Sequence, residues 1–148
     1  MSLNFDEPIL VDTNILIYFL RTKEDGRRVD KIYRFSENLE RIHLSAITLA
    51  EIGAIAKWRR WGAERIRNFQ RFADQAYLIE TLNPDTVQNY SEFYVESLKR
   101  GKGIGQNDLW LAATARAYDL TLLTADSDFQ WIPSDLLKIE FFQPGTTS

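Results

Sequence analysis

Residues 9–20 read ILVDTNILIYFL, an apolar run of strand and helix formers interrupted at its fourth position by an aspartate. Residues 8–11 predict a short buried strand and TNILIYFLR a helix, which puts Asp12 at the strand's carboxyl end. Working outward, a helix is expected over Arg27–Leu39, a second strand at RIHLS, and a largely buried, Ala-rich helix at AITLAEIGAIAKWRRW. Gly62 should open a helix running to Ala76, and YLIETL reads as a third strand. Asn83-Pro84-Asp85 predicts a helix start, with the helix extending towards Arg100. GKGIG reads as a loop, Asn107 as the cap of a helix ending near Tyr118, LTLLT as a fourth strand, ADSDF as a turn and KIEFF as a fifth strand. Strands alternating with helices imply an α/β fold with a parallel sheet covered on both faces.

The chain has 148 residues, 45% of them hydrophobic, which fits a single domain over 1–148 with a frayed tail over 143–148. A net charge of −3 is not that of a generic polyanion binder. Without cysteine, and with His43 the one histidine, there is neither a disulfide framework nor a Cys/His set for zinc. His43 itself reads as a structural strand residue. No apolar run reaches the ~20 residues that span a bilayer, and MSLNFDEP lacks the pattern of a signal peptide, so a cytoplasmic, membrane-free protein is expected.

Three further acids share Asp12's isolation. Glu51 is the one formal charge between Arg41 and Lys57, and on a helix its neighbours are Ile47, Thr48, Ala54 and Ile55. Asp108 is the one charge between Lys102 and Arg116, on a face shared with Leu111, Ala112 and Ala115. Asp126 follows the fourth strand, with Asp128 two residues later. Taken singly, caps, helix-dipole partners and turn residues account for Asp12, Asp108, Asp126 and Asp128; Glu51 resists such an account. Ligands of parallel sheets bind outside the carboxyl ends of the strands, where Asp12 and Asp126 leave theirs. Asp108 opens a helix that precedes its strand, so its side depends on the fold. Carboxylates gathered at one edge repel each other and raise their own pKa values unless a cation neutralises them, and hard oxygen donors without His or Cys select Mg²⁺ or Mn²⁺.

LVDTNILI with Asp12 and Asn14, SAITLAEI with Thr48 and Glu51, and NDLWLAATARAYDLTLLTADSDF with Asp108, Thr124, Asp126 and Asp128 resemble, in order and spacing, the PIN-domain ribonucleases, and more narrowly the VapC-type toxins of toxin-antitoxin pairs. The resemblance covers nearly the whole chain. It implies a three-layer sandwich with a five-stranded parallel sheet in order 3-2-1-4-5, and one pocket joining Asp12, Glu51, Asp108 and Asp126. The implied activity is Mg²⁺- or Mn²⁺-dependent hydrolysis of RNA phosphodiesters without a side-chain nucleophile. Asp12 and Asp108 are then the principal metal ligands, Asp126 a ligand directly or through water, and Glu51 a ligand or water-orienting base. Asn14, Thr48, Thr124 and Asp128 are expected to orient those carboxylates. A homodimer and a small antitoxin protein are the implied partners, beside the RNA substrate. Alternatives are an RNA-processing PIN nuclease without antitoxin and a non-catalytic metal- or RNA-binding module.

Between Lys57 and Arg71 six basic residues face one acid, Glu64, with Trp58, Trp61 and Phe69 interleaved. Charge runs usually form solvated helix faces and aromatics at this spacing usually serve cores or dimer contacts. The basic residues, Lys57, Arg59 and Arg60 foremost, are nevertheless expected to contact RNA phosphates, with Lys102 on the GKGIG loop as a further contact. GKGIG lacks the ending and setting of a P-loop. A receiver domain would need an acid after the third strand, where Thr81-Leu82-Asn83 stands, and a lysine after the fifth, where Gln143-Pro144 stands. A haloacid-dehalogenase phosphatase would need a second aspartate at Asn14.

Overall fold

Strong strand formers give five strands of three to four residues: β1 (Ile9–Val11), β2 (Ile42–Ser45), β3 (Tyr77–Ile79), β4 (Thr121–Thr124) and β5 (Ile139–Phe141). They are buried throughout in β1 and β4 and largely exposed or half-buried at the sheet edges in β3 and β5. The computed structural model describes residues 6–21, 23–80 and 83–145. Among them are also six α-helices: α1 (Thr13–Arg21), α2 (Glu24–Tyr33), α3 (Ala46–Trp58), α4 (Ala63–Gln75), α5 (Pro84–Lys99) and α6 (Gln106–Ala117). All strand pairs are parallel, in the order β3-β2-β1-β4-β5. The chain builds one side of the sheet from β1 to β3 and then crosses to the other, so the order reverses between β1 and β4. A parallel sheet opens its ligand crevice at such a switch point.

The pleat divides the core in two. Ile9 and Val11 of β1 join Ile15, Leu16, Phe35, Ile42, Leu44, Phe72 and Leu123 on one face, while Leu10 joins Phe93, Leu109, Leu111, Leu122 and Phe129 on the other. Each fully buried aliphatic side chain stabilises the fold by about 1.5–3 kcal/mol, so β1, buried on both faces, is its natural centre. Phe19, Phe35 and Phe72 tie α1 and α4 together through tilted ring contacts at 5.2–6.2 Å. α2 crosses α1 so closely that a β-carbon on Gly26 would stand 2.3 Å from the Tyr18 carbonyl oxygen. No helix among the described residues is long and apolar enough to cross a membrane.

Several boundaries differ from those the sequence predicts. α2 starts at Glu24 and stops at Tyr33, because Arg34 turns left-handed (φ 54°) and the Asp30 carboxylate accepts from both the backbone N–H and the hydroxyl of Ser36. Side-chain capture of this kind competes with helix continuation. β3 ends at Ile79, and the expected Thr81 and Leu82 lie outside the described residues. Gly105 caps α6, with Asn107 inside its first turn. α3 is buried at only Thr48 and Ile52, and its outer end is exposed where a buried helix was expected. Within the tail expected over 143–148, Arg28 donates to the Gln143 carbonyl and Gly145 N–H to Asp25. Residues 146–148 lie outside the described residues.

Candidate active site

Asp12 terminates β1 and opens α1, so its carboxylate is delivered to the switch point by the two elements that flank it. Only 5% of the residue is exposed. Its Oδ1 accepts from the Thr13 N–H and its Oδ2 from the Thr124 hydroxyl, both at 2.7 Å. Each oxygen keeps a free lone pair, since an ionised carboxylate offers about four acceptor sites. Thr124 sits across the β1–β4 ladder and its hydroxyl also accepts from Asp126 N–H at 3.0 Å, which fixes the rotor and ties the two acids through one oxygen.

Glu51 reaches the same edge from the second turn of α3. Thr13 Oγ1 donates to its Oε1 at 2.7 Å and Asn107 Nδ2 lies 3.4 Å from its Oε2. That second contact shows that α6 begins at the carboxyl edge, which resolves the side on which Asp108 stands. One carboxylate oxygen from each of Asp108, Asp126 and Asp128 lies within 4.8 Å of the others. Asp12 and Glu51 stand beside this tightest grouping, outside it.

Burial pushes the Asp12 carboxyl up to about 6 against the stabilising hydrogen bonds from Thr124 and Thr13, with the charges of Glu51 and Asp126 adding to the rise. Asp108 is pushed up to about 7, first by burial and then by the charges of Asp12, Asp126, Glu51 and Asp128. None of these five acids forms an ion pair among the described residues. A pocket of hard oxygen donors, mutually repelling and without a protein cation, fits a divalent ion of the Mg²⁺ or Mn²⁺ type.

The supporting residues divide. Asn14 Oδ1 accepts from Ala125 N–H at 3.2 Å, holding the backbone before Asp126, and makes no hydrogen bond to a carboxylate among the described residues. Thr48 makes no bond to an acid: its N–H donates to Ser45, and its buried hydroxyl has no partner among the described residues. Asp128, expected to orient its neighbours, instead contributes its own carboxylate to the grouping, while its N–H donates to Asp126 Oδ1 at 2.9 Å. Thr13 and Asn107 hold Glu51 and went unassigned in the sequence. The signal for Thr13 was its position directly after Asp12, whereas Asn107 carried the ordinary signature of a cap. Lys57, Arg59, Arg60 and Lys102 are exposed and away from the acids' hydrogen bonds.

A parallel sheet covered on both faces, with carboxylates gathered at its switch-point edge, places the chain among the α/β proteins that carry an acidic cluster there. Within that class the chain belongs to the PIN domain family, whose model matches residues 9–133. Ribonuclease VapC2 of Haemophilus influenzae is 29% identical over 115 residues, spanning 78% of this chain and 83% of its own. Ribonuclease VapC5 of Mycobacterium tuberculosis is 27% identical over 123 residues, spanning 81% and 84%. The structure of VapBC-1 from nontypeable Haemophilus influenzae matches with a TM-score of 0.71 at 27% identity, over 90% of this chain and 96% of that one. VapBC2 from Rickettsia felis, solved bound to a DNA fragment from its promoter, shares the fold at a TM-score of 0.75 and 24% identity, over 91% and 98%.

Proposed function

We propose that this protein is a divalent-metal-dependent endoribonuclease and the toxin of a VapBC-type pair. The observation that carries the reading is the pocket of Asp12, Glu51, Asp108, Asp126 and Asp128, five uncompensated acids at the switch point of a PIN fold. The names of the relatives, ribonucleases by description, support RNA as the substrate. Asp108, Asp126 and Asp128 would hold a Mg²⁺ or Mn²⁺ ion together with Asp12 on its free lone pairs. When bound, such an ion supplies charge neutralisation at phosphorus and a lowered pKa for water.

The chain's own groups have separate tasks. Thr124 holds Asp12 and the Asp126 backbone in one register, and Thr13 fixes the Glu51 carboxylate. Glu51, half-buried and outside the tightest grouping, is placed to orient a water and take its proton. No side chain here supplies a covalent nucleophile in this reading. The VapBC complexes among the structural neighbours support a small antitoxin as partner. A homodimer is supported by the exposed apolar face of α5, where Val87, Tyr94, Val95 and Leu98 recur at helical spacing.

Purified protein should cut total cellular RNA into discrete fragments with Mn²⁺ or Mg²⁺, and not with EDTA, and Asp12→Asn should remove the cutting while leaving the fold intact. Metal-independent cutting, or cutting retained by folded Asp12→Asn protein, contradicts the reading. Sedimentation of Leu98→Glu as a monomer, against a wild-type dimer, checks the α5 interface.

A further inference from the structure

We propose that Trp58, at the exposed corner between α3 and α4, is a stacking platform for an unpaired RNA base, flanked by Lys57, Arg59 and Arg60 on the adjoining phosphates. The inference rests on RNA being the substrate, as read above, and adds a positioning residue outside the acid pocket. Three aromatics interleave with the basic run, and the structure separates them. Trp61 and Phe69 pack against the core, and Trp61 further carries the Arg65 guanidinium 4.5 Å from its ring centre. Trp58 is 87% exposed. Its flat face is open to solvent and suits any base.

Its position relates it to the acids. Trp58 follows Glu51 by seven residues, so both lie on one face of α3 about 10 Å apart along the axis. The surface between them is low: of the two residues that separate them on this face, Ala54 is small and exposed and Ile55 is half-buried. A strand lying on this face would meet Glu51 at one point and the indole at the next. The surrounding charge selects the same occupant. Lys57, Arg59 and Arg60 are exposed and form no ion pair among the described residues. Six bases against one acid from Lys57 to Arg71 stand out in a chain of net charge −3. A two-fold contact of this corner with its own copy would bring like charges together, and α5 offers an uncharged face for that purpose.

The corner is also held in shape. Trp61 N–H donates to the Ala56 carbonyl at 2.9 Å and Arg60 N–H to that of Lys57 at 3.3 Å, with Arg60 left-handed at φ 52°. Glycine is the residue that conformation favours, so Arg60→Gly removes a cation without opposing the turn.

The test is fluorescence anisotropy of a labelled single-stranded oligouridylate RNA on the full chain in EDTA, where the proposed cleavage is off. Trp58→Ala should weaken binding by roughly five- to a hundredfold, the range for loss of one stacked base, with the salt slope unchanged. Trp58→Phe should stay within a few-fold of wild type, because it keeps a π-face. Arg60→Gly should lower the salt slope by about 1 at an undiminished melting temperature. Duplex RNA, whose bases are already stacked, should not distinguish Trp58→Ala from wild type. Oligouridylate bound equally by wild type and Trp58→Ala overturns the proposal, as does a wild type that binds no single-stranded RNA. Lost self-association with unchanged RNA binding overturns it in favour of a contact between copies. Weakened binding by Trp58→Ala in a protein that never cleaves RNA would sustain this inference while refuting the nuclease; cleavage by Trp58→Ala at unchanged KM would do the reverse.

Discussion

Near its amino end α3 carries Glu51 into a half-buried pocket where the Thr13 hydroxyl and the Asn107 amide fix it, whereas two turns later the same helix exposes Trp58 between Lys57 and Arg59 with no ion-pair partner among the described residues. The contrast follows from solvent. A carboxylate drawn out of water must be hydrogen-bonded or neutralised, so every acid of the pocket is tied to a donor, to the others, or to both. A guanidinium in water needs no such partner and stays available to a polyanion. On the proposed reading one end of the helix serves chemistry and the other capture.

The largest effects should come from breaking the pocket end. Asp108→Asn should lower cleavage by roughly 10²–10³-fold, the scale for losing a preorganised electrostatic group, with RNA binding in EDTA retained or improved. Kinetics and anisotropy on the same preparation check both halves. Thr124→Val, nearly isosteric, removes the hydroxyl shared by Asp12 and Asp126, and Mn²⁺ affinity should fall by about 10–100-fold, as measured by calorimetry. A smaller effect should appear in stability against pH. Asp12 and Asp108 have folded-state pKa values of about 6 and about 7, raised from an ordinary 3.8. The folded state thus holds more protons than the unfolded one across that window, and the stability these two groups contribute is fully present below about 3.8 and lost as pH rises through 6 and 7. Metal-free protein should gain in melting temperature from this source as pH falls from 7 towards 4.5. Asp108→Asn should flatten the upper part of that rise, and saturating Mn²⁺ at pH 7 should replace it. The smallest effect belongs to the exposed end: Arg59→Ala should weaken RNA binding only a few-fold and lower the salt slope by about 1, with cleavage at saturating RNA unchanged.

Much of the pocket was legible because its acids broke apolar patterns. Asp12 interrupts a strand-to-helix run, and Glu51 and Asp108 are the one acid of α3 and of α6, each among apolar neighbours on its helix face. The strand and helix order was legible in the same way, from alternating short apolar runs and longer amphipathic ones, while the sheet order came from resemblance. Asp128 was harder, since an acid two residues after another in ADSDF is what a turn alone would contain. Asn107 matched a cap so well locally that its reach to Glu51, 56 residues away, left no trace in the pattern. The early end of α2 depends on the Asp30 side chain taking Ser36, a choice between two local hydrogen bonds that helix periodicity does not record. The exposure of α3's outer half is set by which elements pack against it, and AIAKW reads the same whether or not anything does.

The most direct measurement is a calorimetric titration of Mn²⁺ into the metal-free protein at pH 7, repeated in buffers of different ionisation enthalpy, beside Asp108→Asn. Saturable binding with release of protons from the pocket is expected, since a carboxyl near pKa 7 is partly protonated before the ion enters. Both the affinity and the proton release should drop in the variant. Wild-type protein that takes up no Mn²⁺, or that binds it with equal affinity and proton release after Asp108→Asn, would contradict the assignment of these acids to a metal centre.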